Sequence, residues 1–456
     1  MFSSSDEKPI IALCTPRGSG AIAIIRISGN ECLNIIEKIS YLSSGKKLSE
    51  AKTHTINHGH IVENKKIIDE VLFLVMKAPK TFTGQDTVEI NCHNNPFIIE
   101  KIIELSVQNG AHYAQRGEFT RRAFLNKKID LIQAESIHDL IAAQNELELK
   151  KSVEKLHGSL SSHVKEIEDK LINILSMTET SFEFIEEEQQ DIGIKEKIRK
   201  DIKSLIGKTS ELISGFNQQQ QIKHGIRISL IGGVNAGKST LFNALIKKDR
   251  AIVTNIPGTT RDSVEYSLFK NGNFWTFVDT AGIRKTENKI EQMGIEKSFE
   301  EAKSSDIILL IQDSSKATST DEQKIYDEIK SKFPEKIICV QSKIDELKTE
   351  IYGNEMQVSA KTGLGISSLL KIIDEKIQST FKSMKSQFLL SERQHNIISE
   401  LNVKLKSIEN KNANRIQYEL VSHHIKEMLE MISQLTGKSV EKKVMDNIFS
   451  SFCVGK

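Results

Sequence analysis

The chain has 456 residues, a formal net charge of +2 and 27% charged residues. About three domains are expected at this length, and the balanced charge neither requires nor excludes a nucleic-acid partner. The five cysteines are scattered without a C-x-x-C pair, which argues against a disulfide framework and a four-thiolate zinc site. Neither a secretory leader nor an apolar run of membrane-spanning length is recognisable, so we expect a cytoplasmic protein with no membrane association.

Residues 1–120 predict an α+β domain, because short β-branched runs alternate with turns that contain proline and glycine. The predicted strands are Ile10–Leu13, Ala21–Ile27 and Val71–Val75. Arg26 and Glu89 each interrupt an apolar strand. Taken locally, such a charge usually faces water.

Residues 121–220 and 384–456 predict a discontinuous helical domain, with residues 221–383 inserted between its two parts. Apolar stripes recur at three- and four-residue spacing, and we expect the helices that carry them to pack together. The first stripe predicts one long helix through Val153, Leu156, Leu160, Val164, Ile167, Leu171 and Ile174. The C-terminal stripes are Ile398, Leu401, Leu405 and Ile408, and Val421, Ile425, Met428, Ile432 and Leu435. By default the last residues, 448–456, are expected to form a disordered tail.

A basic cluster stands at the entrance to the helical region. It predicts either a solvated face or a site that captures phosphate or carboxylate groups. Its members are Arg121, Arg122, Lys127 and Lys128.

The inserted segment repeats strand and helix, as a parallel α/β sheet does. The run Ile228–Thr240 reads as strand, glycine loop and helix, with the G-x-x-x-x-G-K-S spacing of a P-loop. In such a loop backbone N–H groups hold the phosphate oxygens, Lys238 reaches the β- and γ-phosphates, and Ser239 holds Mg²⁺. The sequence therefore predicts a nucleotide-binding domain at this point.

Further signals follow in chain order, and together they resemble the nucleotide motifs of the Ras-like GTPase superfamily. Thr260 would complete the Mg²⁺ shell, and Asp279 stands where the Walker-B carboxylate holds Mg²⁺. The amide of Gly282 would meet the γ-phosphate, and Asp345 would accept hydrogen bonds from guanine. The predicted GTP-binding residues are Asn235, Ala236, Gly237, Lys238, Ser239, Thr240, Thr254, Asn255, Ile256, Pro257, Gly258, Thr259, Thr260, Asp279, Thr280, Ala281, Gly282, Ser342, Lys343, Asp345, Ser359, Ala360 and Lys361.

Two positions depart from the superfamily pattern. Ser342 stands where Asn is usual, and one lost amide contact costs about 0.5–1.5 kcal/mol, so we expect weaker but still guanine-selective binding. Ile283 stands where Ras-like enzymes place a water-orienting Gln. Because an apolar side chain cannot orient water, either another group does so or hydrolysis is slow.

Over nearly its whole length the chain resembles the MnmE (TrmE) family of bacterial GTPases that modify the wobble uridine of tRNA. The terminal motifs carry the resemblance more specifically than the P-loop, which many GTPases share. The matching segments are Ala21–Gly29, Gly117–Asn126, Lys128–Glu135, Asn235–Ser239 and Phe452–Lys456. The chain departs from the family where Asn94 and Asn95 replace Gly-Gly, and where Arg116 replaces Pro.

The resemblance implies a homodimer whose N-terminal domain binds a tetrahydrofolate derivative, 5-formyl- or 5,10-methylene-tetrahydrofolate. The matching folate positions are Arg26, Glu89, Lys128 and Lys456, and Cys453 matches a C-terminal cysteine that is a candidate for the chemistry. It also implies a heterotetramer with the flavoprotein MnmG, which uses FAD and NADH. Together the two proteins would add an aminomethyl or carboxymethylaminomethyl group to C5 of the wobble uridine in tRNA.

The resemblance further implies that K⁺ stimulates GTP hydrolysis when two G domains pair. The matching K⁺ positions are Asn235, Thr254, Ile256 through its carbonyl, and Thr259. K⁺ would replace an arginine finger, which elsewhere supplies about 10³–10⁵ in rate. Glu291 matches the family's water-orienting glutamate. The predicted catalytic residues are Glu291 and Lys238.

Two other functions stay open at this point. One is a GTP-controlled ribosome-assembly factor that only binds RNA, although no KH-type G-x-x-G loop is recognisable. The other is a folate-dependent transferase that has kept the G domain as a structural relic. Intact Lys238, Ser239, Thr260 and Asp279 argue against the relic.

Overall fold

The computed structural model divides the chain into two compact units. Unit 1 comprises residues 1–138, 154–207 and 400–456, and unit 2 comprises residues 139–153 and 208–399. The described residues are 8–183, 188–214, 216, 226–248, 264–271, 273–279, 299–316, 318–346, 356–382, 388–411 and 418–455. The domain boundaries near residues 120, 220 and 383 stay predictions.

The described chain contains both strands and helices. The strands are β1 (Ile10–Leu13), β2 (Ile22–Ser28), β3 (Ser40–Leu42), β4 (Thr55–Glu63), β5 (Lys66–Met76), β6 (Thr87–His93), β7 (His112–Tyr113), β8 (Ile226–Gly232), β9 (Val264–Lys270), β10 (Asn273–Asp279), β11 (Ile307–Asp313), β12 (Ile337–Ser342) and β13 (Met356–Gln357). The α-helices are α1 (Cys32–Ile39), α2 (Pro96–Gln108), α3 (Glu118–Leu125), α4 (Leu131–Ala142), α5 (Glu146–Leu156), α6 (Ser159–Glu183), α7 (Glu188–Ile213), α8 (Lys238–Lys248), α9 (Thr320–Lys332), α10 (Ile366–Lys382), α11 (Glu392–Lys411), α12 (Tyr418–Thr436) and α13 (Lys442–Ser450). Within the described ranges no helix combines the length and the apolar character that a membrane span requires.

In unit 1 the first seven strands form one sheet in the order β3-β4-β5-β6-β2-β1-β7. Successive residues of a strand point to opposite faces, so Ala23, Ile25 and Ile27 of β2 are buried together with residues of α1 and α2. The opposite face carries a row of residues that lie directly across from one another on five strands. This row is Ala12, Arg26, Glu89, Leu74 and Ile56. The predicted α+β fold of this part is confirmed.

The long helices of unit 1 bury their apolar stripes against each other, as predicted. α6 contacts α12, and the stripe residues of both are almost completely buried. The prediction of a single long helix from Val153 onward was wrong, because α5 ends at Leu156 and α6 begins at Ser159. Gly158 lies between them with a φ of +90°, a left-handed conformation that glycine adopts without steric cost.

The last residues are packed, and the expectation of a disordered tail was wrong. Phe449 and Phe452 are 2% and 3% exposed in a cluster with Leu131 and Ala134 of α4. Burying two phenylalanine side chains contributes about 3–6 kcal/mol. The residues close to the tail in sequence did not indicate this burial, because Leu131 and Ala134, which pack on the two phenylalanines, lie more than 300 positions earlier in the chain.

Unit 2 contains a six-stranded sheet in the order β13-β12-β11-β8-β10-β9. All its strands run parallel except β9, which is antiparallel to β10. Residues of α8 and α10 pack on one face, and residues of α9 pack on the other. The predicted P-loop α/β fold is confirmed, and the carboxyl ends of the parallel strands meet at one edge, where such sheets bind ligands.

Candidate functional site

The phosphate loop lies between β8 and α8, at the carboxyl edge of the sheet in unit 2. Asn235 and Gly237 have φ values of +62° and +87°. Left-handed residues within a loop turn successive backbone N–H groups toward a common point, which is a site for an anion. Gly232 has no space for a side chain, because a Cβ atom there would collide with the carbonyl oxygen of Ile311 on β11.

Lys238 is the first residue of α8, and its ammonium group is held against the loop. Nζ donates to the carbonyl oxygen of Gly232 at 2.8 Å and to that of Gly233 at 2.7 Å. Ser239 and Thr240 follow in the first turn of the helix and are exposed. The lysine and the serine of the motif therefore lie at the mouth of the anion site.

Ser342 connects the base-binding side of the site to the phosphate loop. It ends β12, is 4% exposed, and its Oγ lies 2.7 Å from the carbonyl oxygen of Ala236 and 3.0 Å from that of Gln312. A hydroxyl carries one proton and donates one hydrogen bond at a time. Ser342 therefore contacts the loop with the same group that it would need in order to donate to a base.

The two charged residues of the base motif are held by neighbours at the same edge. Nζ of Lys343 lies 2.7 Å from Oδ2 of Asp313, the last residue of β11. The hydroxyl of Ser359 donates to the carboxylate of Asp345 and holds the pKa of Asp345 below its usual value. Asp345 is exposed, so its carboxylate is ionised and accessible to a guanine.

The structure thus brings the P-loop, the base motif and Ser359-Ala360-Lys361 together at the ends of β8, β12 and β13. Asp279 ends β10 directly beside Leu230 of β8, and only its backbone is described. The other predicted residues lie outside the described residues. They are Thr254, Asn255, Ile256, Pro257, Gly258, Thr259, Thr260, Thr280, Ala281, Gly282, Ile283, Glu291 and Lys456.

On the predicted folate side, Arg26 and Glu89 form an ion pair with each other. Nη2 and Nε of Arg26 lie 2.7 and 2.8 Å from the same oxygen, Oε1 of Glu89. The guanidinium also lies over the ring of Phe119 at 5.6 Å, and Nη1 donates to the carbonyl of Gly455 at 3.4 Å. The solvent-facing interpretation was wrong, because the two side chains are only 24% and 16% exposed.

Lys128 is not in contact with this pair. Its Nζ donates to the carbonyl oxygen of Pro79 at 2.9 Å, in the segment between β5 and β6. Cys453 is exposed, and its carbonyl oxygen accepts from the N–H of Gly117 at 3.3 Å. A Cβ atom on Gly117 would lie 2.6 Å from the carbonyl oxygen of Phe449, so glycine is needed where the tail packs.

Two departures from the family pattern have a structural role. The side chain of Asn95 caps α2 by accepting from the N–H of Phe97 at 2.9 Å, and Nδ2 of Asn94 donates to the carbonyl of Gly18 at 2.8 Å. An asparagine cap is worth about 0.5–2 kcal/mol. The asparagines therefore stabilise this segment, whereas Arg116 is exposed.

The basic cluster is not a single solvated face. Arg122 is 2% exposed, and its Nη2 lies 2.9 Å from Oε1 of Glu118. Its Nη1 donates to Oε1 of Gln85 at 3.3 Å. Arg122 thus connects α3 to the segment between β5 and β6. The interpretation of the cluster as a solvated face was wrong for this residue.

Two family models match the chain. One, described as the N-terminus of the GTP-binding protein TrmE, matches residues 9–128, and the other, described as the MnmE helical domain, matches residues 131–453. The tRNA modification GTPase MnmE of Fervidobacterium nodosum is 39% identical over 454 residues, which cover 98% of this chain and 97% of that relative. The chain belongs to the MnmE family. The predicted family and the predicted enzyme class, a GTP hydrolase, are thereby confirmed.

Other MnmE relatives match over a similar span. Those of Lachnoclostridium phytofermentans and Christiangramia forsetii are 35% and 33% identical over 457 and 473 residues, in each case covering 98% of this chain. Among solved structures, the G domain of the T. maritima FeoB iron transporter covers 34% of this chain, with 26% identity and a TM-score of 0.25.

The sequence interpretation of this MnmE-family chain missed two residues of the site. Asp313, which binds Lys343, follows an apolar strand just as Asp279 does, and that repetition was a usable signal. Tyr326, whose hydroxyl accepts from the N–H of Gly233, lies on a helix far from any motif and carried no signal.

Proposed function

We propose that this chain is a Mg²⁺-dependent, K⁺-stimulated GTPase that modifies C5 of the wobble uridine in tRNA. With an FAD-dependent partner it adds an aminomethyl or carboxymethylaminomethyl group, using a one-carbon unit of a tetrahydrofolate. The observation that carries the proposal is the match to tRNA modification GTPases over 98% of the chain. It is supported by the hydrogen bond from Nζ of Lys238 to the phosphate loop.

The phosphate loop supports the nucleotide part. Its N–H groups would bind the β- and γ-phosphates, and the ammonium of Lys238 would offset negative charge that develops on them. The Ser239 hydroxyl, together with Thr260, would hold Mg²⁺, which prefers hard oxygen ligands of this kind and supplies further charge neutralisation. Ser239 is exposed in the first turn of α8, beside the loop, and therefore fits that task.

We propose that Glu291 takes the role of the water-orienting Gln of Ras-like enzymes, and that K⁺ takes the role of an arginine finger. Glu291 would orient the water that attacks the γ-phosphate. Asn235 would hold K⁺ together with Thr254, Thr259 and the carbonyl of Ile256. Support comes from Asn235, which is exposed on the loop in a left-handed conformation.

GTP turnover in KCl and in NaCl at equal ionic strength tests the potassium part. We expect faster turnover in KCl, and Asn235→Ala should reduce the difference without abolishing GTP binding. Equal rates in both salts would remove K⁺ from the proposal. Glu291→Ala should bind GTP and hydrolyse it slowly, and parental turnover by that variant would remove the water-orienting role.

The Arg26–Glu89 pair supports the folate part. Nε and Nη2 of Arg26 both bind Oε1 of Glu89, and Oε2 has no hydrogen-bond partner among the described residues. That oxygen would accept from the amino group of a pterin, while Arg26, Lys128 and Lys456 are cations suited to the glutamate carboxylates. The exposed Cys453 would lie on the tail that contacts Arg26 through Gly455.

Nucleoside analysis of tRNA from a deletion strain tests the function as a whole. We expect loss of the C5 group on wobble uridine and its return when the parental gene is restored. Restoration with Lys238→Ala should fail, because it removes the phosphate contact. Fully modified wobble uridine in the deletion strain would reject the proposal in favour of another GTP-controlled RNA function. Copurification with the flavoprotein and the mass of the purified complex check the proposed homodimer and heterotetramer.

A further inference from the structure

A tyrosine outside the GTPase motifs is hydrogen-bonded to the phosphate loop. The N–H of Gly233 donates to the hydroxyl of Tyr326 at 2.8 Å. The same hydroxyl donates to the carbonyl oxygen of Ile311 at 3.2 Å. Because a phenol can accept one bond and donate its single proton in another, Tyr326 binds a loop amide and a carbonyl of β11 at the same time.

Tyr326 is fixed in place by packing on α9. It is 4% exposed in a cluster that includes Ile231, Leu310 and Ile329. Burial raises the pKa of Tyr326, and the charges of Glu322 and Asp313 add to the effect. The hydroxyl therefore stays protonated at neutral pH and keeps its bond to the carbonyl of Ile311.

Gly233 is held from more than one direction. Its N–H is bound by Tyr326, and its carbonyl oxygen accepts from Nζ of Lys238 at 2.7 Å. A Cβ atom at this position would collide with Oε1 of Glu322, so the backbone lies close against α9. Rotation of this part of the loop would carry with it the carbonyl groups that orient Lys238.

We propose that Tyr326 is a positioning residue for GTP hydrolysis. By binding the amide of Gly233 it fixes the carbonyl oxygens of Gly232 and Gly233, and these set the place of the Lys238 ammonium against the phosphates. The inference rests on the GTPase activity and is independent of the folate, tRNA and K⁺ parts of the proposed function.

Tyr326→Phe tests this role, because it removes one oxygen atom and keeps the buried ring. We expect kcat for GTP to fall about tenfold and KM to rise severalfold. Displacement of the ammonium weakens its interaction with the transition state more than its interaction with the ground state, because more negative charge has developed on the phosphates in the transition state. Measurements are made on the full chain well below its unfolding temperature. A purely structural role would lower the unfolding midpoint and leave both kinetic constants unchanged.

Tyr266→Phe is the matched control. It removes the same atom in the same unit, from a side chain of β9 that is 38% exposed and contacts Phe242 edge-on. We expect its kcat and KM to stay within about twofold of the parental values, a difference of less than 1 kcal/mol in barrier height. If Tyr326→Phe behaves as this control does, the inference is overturned.

Amide exchange keeps the inference testable should Tyr326→Phe fail to fold. In the full chain labelled with ¹⁵N-glycine, the N–H of Gly233 should exchange much more slowly than that of Gly18, which is exposed and donates no backbone hydrogen bond within the described residues. Equally fast exchange would mean that the bond to Tyr326 does not persist, and the inference would fall. A parental protein without GTPase activity would reject the proposed function instead, while the exchange result would still decide the contact.

Discussion

The guanidinium of Arg26 lies 2.7 Å from the carboxylate of Glu89, directly across from it on the neighbouring strand. Opposite charges at such positions stabilise a sheet by about 0.2–1 kcal/mol, although both side chains here are largely removed from water, at 24% and 16% exposed. The pair also contacts the C-terminal tail through Gly455. Oε1 of Glu89 accepts both bonds from Arg26, so Oε2 is the oxygen that we propose for a pterin amine.

Glu89→Gln should separate the ligand role from the structural role. The change keeps the shape of the side chain and one acceptor oxygen, but it removes the charge that would bind a pterin amine. We expect 5-formyl-tetrahydrofolate to bind at least about tenfold more weakly, which corresponds to about 1.4 kcal/mol. Isothermal titration of the purified full chain measures the affinity.

Glu70→Gln is the control for that measurement. Glu70 lies on β5 of the same sheet, is 63% exposed, and pairs with His58 at 2.6 Å. We expect folate affinity to be unchanged, since no contact among the described residues connects this pair to the tail. Equal losses in both variants would indicate a general effect of charge and would contradict a specific role for Glu89.

Glu118→Ala should strongly destabilise unit 1. Arg122 is 2% exposed, and without Glu118 its charge would retain, among the described residues, only the 3.3 Å contact with Gln85. Breaking a buried ion pair from one side costs about 3–5 kcal/mol, because the remaining charge is poorly compensated. The single tryptophan, Trp275, lies in unit 2, so the transition seen by circular dichroism but not by tryptophan fluorescence reports on unit 1.

The surface pair of Glu179 and Lys426 provides the comparison. Their side chains are 51% and 60% exposed and 2.9 Å apart, also in unit 1. Exposed pairs contribute about 0–1 kcal/mol, so Glu179→Ala should hardly move the transition. Similar losses for both variants would show that Arg122 does not depend on Glu118.

The cysteines should differ widely in reactivity, although none of the five forms a disulfide bond in the structure. Burial raises the pKa of Cys32 to about 12 and that of Cys92 to about 11. Thiolate is the reactive form, and for Cys32 its fraction at pH 8 falls by about a factor of 10³. In native protein an alkylating reagent should modify exposed Cys453 first, and in urea the difference should vanish.

The same shifts make folding sensitive to alkali. Between pH 9 and the raised values the unfolded chain loses these two thiol protons while the folded chain keeps them. Stability is therefore fully present below pH 9 and falls as pH rises toward 11–12, by up to about 1.4 kcal/mol per pH unit for each thiol. A unit 1 transition that does not move between about pH 8 and pH 10.5 would contradict the burial of Cys32 and Cys92.

Sequence reasoning succeeded where the chemistry is local. The P-loop combines a strand, a glycine turn and a lysine within a dozen residues, so its fold is predicted from spacing alone and β8 and α8 confirm it, whereas the roles of Lys238 and Ser239 stay predictions. It failed where partners are distant along the chain. Nothing near Phe452 indicates that α4 covers it, and nothing near Tyr326 indicates that Gly233 binds it. The break at Gly158 was missed because an apolar stripe continues in phase across it.

Ser342 offers the sharpest test of the base-binding side. Its hydroxyl lies 2.7 Å from the carbonyl of Ala236, so its single proton is used within the protein. An asparagine amide has two donor hydrogens and an acceptor oxygen, and it would keep that contact while offering another to guanine. Ser342→Asn should therefore strengthen GDP and GTP binding by about two- to tenfold, the equivalent of one added hydrogen bond.

Ser342→Ala completes the test, and fluorescent guanine nucleotides measure both variants. The alanine removes the contact with Ala236 and should weaken binding, because the loop loses its tie to β12. If asparagine weakens binding as much as alanine does, the space around Ser342 does not admit an amide. The serine would then be required for its hydrogen bond to the carbonyl of Ala236, and it would make no contact with the base.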